Sequence, residues 1–166
     1  MIRQGKISDS NQIVNIKIDS WNDTYKGLMP NAILENMNYE KEHSKYIKNF
    51  NNRKIKVYED KGEILGYAYY GSKNDDEKAD MKECTSEIYA LYVKKKSRRL
   101  GIGTKLISSI FDELKKENNE KVLLWCVKGN EKAINFYQKN DFKYLCNKTQ
   151  DYNGSKLEEI CFEKKL

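Results

Sequence analysis

The sequence has few of the residues that metal sites, secreted disulfide scaffolds and membrane segments require. It contains one histidine and four cysteines, and the cysteines form no CxxC pair. A structural zinc site needs closely spaced thiolate or imidazole ligands, so we expect no bound metal. No segment approaches the ~18 apolar residues of a membrane span, and the amino-terminal residues lack the apolar core of a signal peptide. We therefore expect a cytoplasmic protein with reduced cysteines and no membrane partner.

The composition is that of an ordinary globular protein. Hydrophobic residues make up 39% and charged residues 34% of the 166 positions, which fits one domain over residues 1–166 with a buried core. The formal net charge of +6 is modest for this length. Such a charge suits an anionic ligand, and taken alone it suits a nucleic-acid surface equally well.

The order of apolar patterns predicts a chain of mixed α and β structure. Residues 86–93 and 121–127 carry apolar side chains on both faces, as buried central strands do. Lys61-Gly62 predicts a tight hairpin turn, and the polar stretch at 72–83 predicts an exposed loop. The other predicted elements are strands at 2–7, 54–60 and 63–71, two strands after residue 141, and helices beginning near Asp9, Pro30, Asn38, Gly101 and Asn130.

A basic run followed by glycines stands directly before one of these helices. Residues 94–106 read KKKSRRLGIGTKL, with five positive charges in the first six residues. Helix starts usually attract carboxylates, yet the first acid after Gly101 is Asp112. Glycines let phosphate oxygens approach backbone N–H groups, and the helix start and the neighbouring cations attract an anion. The alternative is an exposed basic turn with a glycine-rich cap.

Two motifs in this half of the chain have the spacing of a known family. Arg98, Gly101 and Gly103 form R-x-x-G-x-G. The pattern N-x-x-A-x-x-F-Y-x-x-x-G-F is matched at Asn130, Ala133, Phe136, Tyr137 and Phe142. In these features the chain resembles the GNAT superfamily of acetyl-coenzyme A (acetyl-CoA)-dependent N-acetyltransferases. Asp141 replaces the glycine of the second motif, and because Asp enters the left-handed region readily, we expect the turn to be preserved.

The resemblance implies an α/β (α+β) fold with a GNAT-like sheet. This sheet is mixed but mostly antiparallel, with about seven strands splayed in the middle and about four flanking helices. The resemblance also implies acetyl-CoA as cosubstrate, its pyrophosphate on the loop before Gly101 and its pantetheine arm along strand 86–93. Asn130 either contacts coenzyme A or caps a helix, and both roles stay open. The implied cofactor-binding residues are Leu91, Tyr92, Val93, Arg98, Arg99, Leu100, Gly101, Ile102, Gly103, Thr104, Asn130 and Tyr137.

Moving an acetyl group from a thioester to an amine makes three chemical demands. The amine must be neutral, the developing oxyanion must be stabilised, and the departing thiolate benefits from a proton. The resemblance places the general acid at Tyr137, with a purely structural core aromatic as the alternative. Glu87 is the candidate general base, because a carboxylate within an apolar strand is costly unless it faces a cleft or a partner. A solvent-facing position at the strand end is the other interpretation of Glu87.

The acceptor site is less clearly marked in the sequence. Trp21, Tyr25 and Met29 follow one another at helical spacing and are candidates for substrate binding by cation–π attraction, or for a place in the core. Acetyltransferases of ribosomal-protein amino termini commonly carry a glutamate where this chain has Leu124-Trp125-Cys126. We therefore favour a small-molecule amine, such as a polyamine or an amino sugar, over a protein or peptide.

Two other functions compete with an enzyme. A nucleic-acid-binding module using residues 94–99 would show steep salt dependence, but the acidic stretch at 75–83 and the absence of a recognised binding motif speak against it. An acyl-CoA sensor would bind without catalysis, and the presence of Tyr137 speaks against that. We expect no nucleic-acid partner, and the sequence leaves homodimer formation open.

Overall fold

The computed structural model describes residues 1–73, 86–152 and 155–166. Most of the predicted loop at 72–83, together with Cys84, lies outside the described residues. None of the described helices is long and apolar enough to cross a bilayer.

The strands are β1 (Ile2–Gln4), β2 (Lys54–Asp60), β3 (Glu63–Ser72), β4 (Ser86–Val93), β5 (Lys121–Val127), β6 (Lys143–Tyr152) and β7 (Ser155–Lys165). The helices are α1 (Ser10–Thr24), α2 (Asn31–Glu35), α3 (Tyr39–Asn49), α4 (Ile102–Lys116) and α5 (Glu131–Lys139).

The seven strands form one sheet in the order β1-β2-β3-β4-β5-β7-β6. The β4–β5 pair is parallel, and the other neighbouring strands are antiparallel. This confirms the mixed, mostly antiparallel sheet. The described residues contain five α-helices where about four were expected, and the smallest, α2, has five residues.

The turn between β2 and β3 shows how local sequence determines this topology. Lys61 has φ 48° and Gly62 has φ 82°, so both central residues are left-handed, as a type I′ turn requires. The twist of that turn matches the twist of the strands, so the two strands pair directly. The predicted hairpin is confirmed.

Helices cover the sheet on both faces, and the side chains of β3 show the alternation. Tyr67 belongs to a core with Ile13 of α1 and Tyr46 of α3. The next residue, Ala68, belongs to a second core with Ile110 of α4. Successive strand side chains point to opposite faces, so α1 and α3 lie on one side of the sheet and α4 lies on the other.

Candidate active site

A cavity opens where the two parallel strands separate. The β4–β5 ladder covers three residue pairs, from Ser86–Val122 to Ile88–Leu124. Beyond these pairs, β4 and β5 both line one cavity of about 760 Å³, a volume suited to a small-molecule ligand. Its β4 wall is formed by Leu91, Tyr92 and Val93, and its β5 wall includes Trp125 and Cys126. The separation gives a ligand access to the edge of β4 that faces β5.

The loop before α4 forms one end of this cavity. Arg99 has φ 66° and Gly101 has φ 74°, so two positions of the loop are left-handed. A Cβ on Gly101, the N-cap residue of α4, would meet no described atom within 4 Å. The first turn of α4, which the structure describes in full, contains no acidic residue. Open space before an acid-free helix start fits an anionic group such as a diphosphate.

Gly103 has a different reason to be glycine. A Cβ there would lie 3.0 Å from Cζ and 3.2 Å from Cε2 of Phe136 on α5. The glycine therefore allows α5 to pack closely on α4. The interpretation that glycine leaves space for phosphate fits Gly101. At Gly103 the space of a Cβ is taken by the Phe136 ring, but Gly103 also lines the cavity, and its contact with the coenzyme stays a prediction.

Tyr137 of α5 lines the cavity and also packs in the core. Its ring lies 5.8 Å from the ring of Phe142 and 6.4 Å from that of Phe162, measured between centroids. Burial raises the pKa of the Tyr137 hydroxyl above its usual range, and Cys126 and Tyr92 add to the effect. The phenol therefore keeps its proton throughout the physiological range. The two alternatives for Tyr137, core aromatic and site residue, are compatible in this position.

The ends of α5 show what the second motif does structurally. The side-chain oxygen of Asn130 accepts a hydrogen bond from the backbone N–H of Ala133 at 3.3 Å, so Asn130 caps the helix while it also lines the cavity. Beyond the helix, Asp141 has φ 63° and Phe142 is buried. The left-handed turn expected at Asp141 is confirmed.

The structure places Glu87 outside the described lining of the cavity. Glu87 is 5% exposed, pairs in register with Leu123, and is not among the described residues that line the cavity. The β4 wall of the cavity begins at Leu91, four residues further on, or about 13 Å along a strand. The expected cleft-facing position of Glu87 is therefore not seen, and its general-base role stays a prediction. Leu100 is 65% exposed and does not join the described cavity lining either.

The three candidate acceptor residues stay close together in the fold. Trp21 and Tyr25 pack against the cluster that contains Met29, and their two rings lie 5.1 Å apart between centroids. Tyr25 lines the cavity. Trp21 donates a hydrogen bond from Nε1 to the Tyr92 hydroxyl at 2.8 Å, and its ring already faces the Lys17 ammonium at 5.7 Å. Met29 is 8% exposed and packs in a core cluster with residues of β5 and β7. For Met29 the structure favours the core alternative over substrate binding, because the side chain is buried in this cluster and is not among the described residues that line the cavity.

The cavity also includes two residues, Asp23 and Cys126, that are outside the predicted set of site residues. Asp23, at the end of α1, accepts hydrogen bonds from Lys95 and Arg98, each at 2.5 Å. Cys126 is a free buried thiol whose pKa is raised to about 12, chiefly by burial. Both residues line the cavity because distant parts of the chain meet there. Asp23 is an acid close in sequence to the acceptor candidates, where an amine substrate would favour a negative charge, but no local pattern predicts its pairing with Lys95 and Arg98. Within the described ranges, no group of His, Cys, Asp and Glu side chains could hold a metal ion.

Comparison with known proteins identifies the family and supports the fold. The sequence is 24% identical over 160 residues to YuaI of Bacillus subtilis (strain 168), described as an uncharacterized N-acetyltransferase, covering 96% of this chain and 89% of that protein. The fold is similar to that of the PaiA N-acetyltransferase from Thermoplasma acidophilum in complex with coenzyme A, with a TM-score of 0.73, 21% identity, and 100% and 98% of the two chains covered. It is also similar to that of YncA from Salmonella typhimurium with its cofactor acetyl-CoA, with a TM-score of 0.71, 18% identity, and 99% and 92% covered. Residues 17–142, well over half of the chain, match the Acetyltransferase (GNAT) family, and the chain belongs to that family.

Proposed function

We propose that this acetyltransferase transfers the acetyl group of acetyl-CoA to the primary amine of a small molecule, by direct attack in a ternary complex. The observation that carries the proposal is the single cavity between β4 and β5. The left-handed loop before α4, the open edge of β4 and Tyr137 all line this cavity.

The coenzyme fits the half of the cavity near α4. The loop from Arg98 to Thr104 offers backbone N–H groups and positive charge to the diphosphate, and the main chain of Leu91, Tyr92 and Val93 offers hydrogen-bonding groups to the pantetheine amides. Asn130 lines the same cavity, but its side-chain oxygen is already engaged as the cap of α5. Bound acetyl-CoA supplies an activated thioester to the acceptor amine.

Tyr137 supplies the proton that the departing sulfur takes up. The phenol is protonated at neutral pH, as a general acid must be before transfer, while burial, which raises its pKa, makes it a weaker acid. Cys126, on β5, is also neutral at this pH, because burial raises the pKa of its thiol to about 12. A neutral thiol is a poor nucleophile, which supports direct transfer to the amine over transfer through a cysteine.

The acceptor approaches near Tyr25. This tyrosine lines the cavity from the end of α1, and Trp125 lines it from β5. The segment Leu124-Trp125-Cys126 presents no carboxylate where acetyltransferases of ribosomal-protein amino termini commonly have glutamate. These features support a small amine, with polyamines and amino sugars as the first compounds to examine.

The test is a screen of primary amines with acetyl-CoA, in which release of free coenzyme A thiol is measured. The panel contains polyamines, amino sugars, amino acids and amino-terminal peptides, and a reaction without acceptor measures background hydrolysis. We expect turnover with at least one small amine. Turnover with peptides alone would show that the acceptor is a protein or peptide. Coenzyme binding without turnover on any amine would identify an acyl-CoA sensor.

A further inference from the structure

The carboxylate of Asp23 connects α1 to the basic segment, which we define as residues 94–99. Its Oδ1 accepts a hydrogen bond from Lys95 Nζ and its Oδ2 accepts one from Arg98 Nη1, each at 2.5 Å. Asp23 and Arg98 both line the cavity. The Asp23 carboxylate therefore pairs with two cations beside the loop before α4. The proposed function assigns this loop to the coenzyme diphosphate.

We infer that Asp23 competes with the coenzyme diphosphate for Lys95 and Arg98, and so lowers the affinity for coenzyme A and speeds its release after transfer. This inference rests on the proposed function, because it requires the diphosphate to bind at the loop before α4.

The position of Arg98 supports the competition. Its Nε donates to the carbonyl oxygen of Val93 at 3.2 Å, which fixes the guanidinium at the end of β4, one residue before the left-handed Arg99. Guanidinium groups bind phosphate and carboxylate oxygens with the same N–H donors. Hydrogen bonds from Lys95 and Arg98 also lower the pKa of Asp23 below its usual range, so the carboxylate is ionised at neutral pH.

The ion pairs can open at little cost. Lys95 and Asp23 have side chains 76% and 25% exposed, and ion pairs of this kind contribute little to stability because water and salt screen them. The negative charge nevertheless remains close to the path of a polyanionic ligand, whatever the side-chain rotamer. We therefore expect the Asp23 charge to change mainly the affinity for coenzyme A, with little effect on the stability of the fold.

The test compares Asp23→Asn with the wild-type protein by calorimetric titration of coenzyme A. Asp19→Asn is the matched control, because Asp19 is an exposed residue one turn earlier on the same helix and lies outside the described cavity lining. Pantetheine, which lacks all the phosphates of coenzyme A, is the second ligand. We expect coenzyme A to bind Asp23→Asn about 3- to 10-fold more tightly and to dissociate more slowly, with the gain shrinking as salt rises. Pantetheine should bind both proteins alike.

Each other outcome overturns the inference. Unchanged or weaker binding of coenzyme A to Asp23→Asn would show that Asp23 does not compete. An equal gain in affinity for pantetheine would assign the effect to the shape of the site. An equal gain in affinity for coenzyme A in Asp19→Asn would assign it to net charge. If the wild-type protein itself fails to bind coenzyme A, the proposed coenzyme site fails first, and the titration of the unmodified chain reveals this separately.

Discussion

At the scale of single residues, Tyr137 combines a packing role and a proposed chemical role in one side chain. The ring contacts Phe136, Phe142 and Phe162, while the residue as a whole lines the cavity. Phenylalanine retains the ring and removes only the hydroxyl. The two roles can therefore be separated by one substitution.

We expect Tyr137→Phe to lower kcat about 100-fold, the usual scale of a lost general acid, while the Kd for coenzyme A changes less than about twofold. Steady-state kinetics and titration measure the two quantities. Tyr144→Phe is the control, because Tyr144 is 61% exposed on β6. Equal kcat values in Tyr137→Phe and the wild type would remove Tyr137 from the mechanism.

Glu87 is the residue for which sequence and structure differ most. Its register opposite Leu123 and its distance from Leu91, about 13 Å along β4, separate it from the cavity. This position speaks against the general-base role predicted from the sequence. From it we expect Glu87→Gln to retain kcat/KM within about threefold and to keep the acidic limb of the pH–rate profile. Disappearance of that limb in the variant would establish Glu87 as the base.

At the scale of elements, Gly101 and Gly103 have different structural roles although they are only two positions apart. Gly101 provides a left-handed N-cap facing open space, and Gly103 provides contact between α4 and α5. The same substitution at the two sites is therefore expected to affect different properties.

We expect Gly101→Ala to weaken coenzyme A binding, since its methyl group enters the open space before the loop, and to lower the free energy of unfolding by about 1 kcal/mol through left-handed strain. Gly103→Ala should act mainly on stability, because its Cβ would lie 3.0 Å from Phe136. Chemical denaturation and titration of both variants measure the two effects. In Gly103→Ala with Phe136→Leu the loss should be less than additive, and additive losses would contradict the contact.

At the scale of the whole molecule, coenzyme binding should stabilise the fold. The cavity is built from α1, β4, β5, α4 and α5, so its ligand contacts both halves of the sheet. The basic segment is meanwhile engaged within the protein, since Lys95 and Arg98 contact Asp23 and Lys94 contacts Glu63 at 2.7 Å. These ion pairs reduce the positive charge that a nucleic acid would meet.

Acetyl-CoA at a hundred times its Kd adds about 2.7 kcal/mol to the free energy of unfolding. For a chain of this length we expect the Tm to rise by about 5–11 °C. A thermal denaturation series with acetyl-CoA, and with a DNA oligonucleotide as control, measures the effect. A rise with DNA alone would favour the nucleic-acid-binding module instead.

The sequence by itself determined the features that depend on neighbouring residues. The Lys61-Gly62 turn, the left-handed Asp141 and the acid-free start of α4 could be predicted because backbone preference and helix polarity act over a few positions. The two motifs together, R-x-x-G-x-G at Arg98–Gly103 and the segment from Asn130 to Phe142, likewise led to the correct family.

Only the tertiary structure decided the features that depend on long-range contacts. The position of Glu87 outside the described cavity lining and the pairing of Asp23 with Arg98 both depend on residues far apart in the chain. Sequence patterns report which side chains are apolar or charged. They do not report which of them meet, because that depends on how the whole sheet twists and packs against its helices.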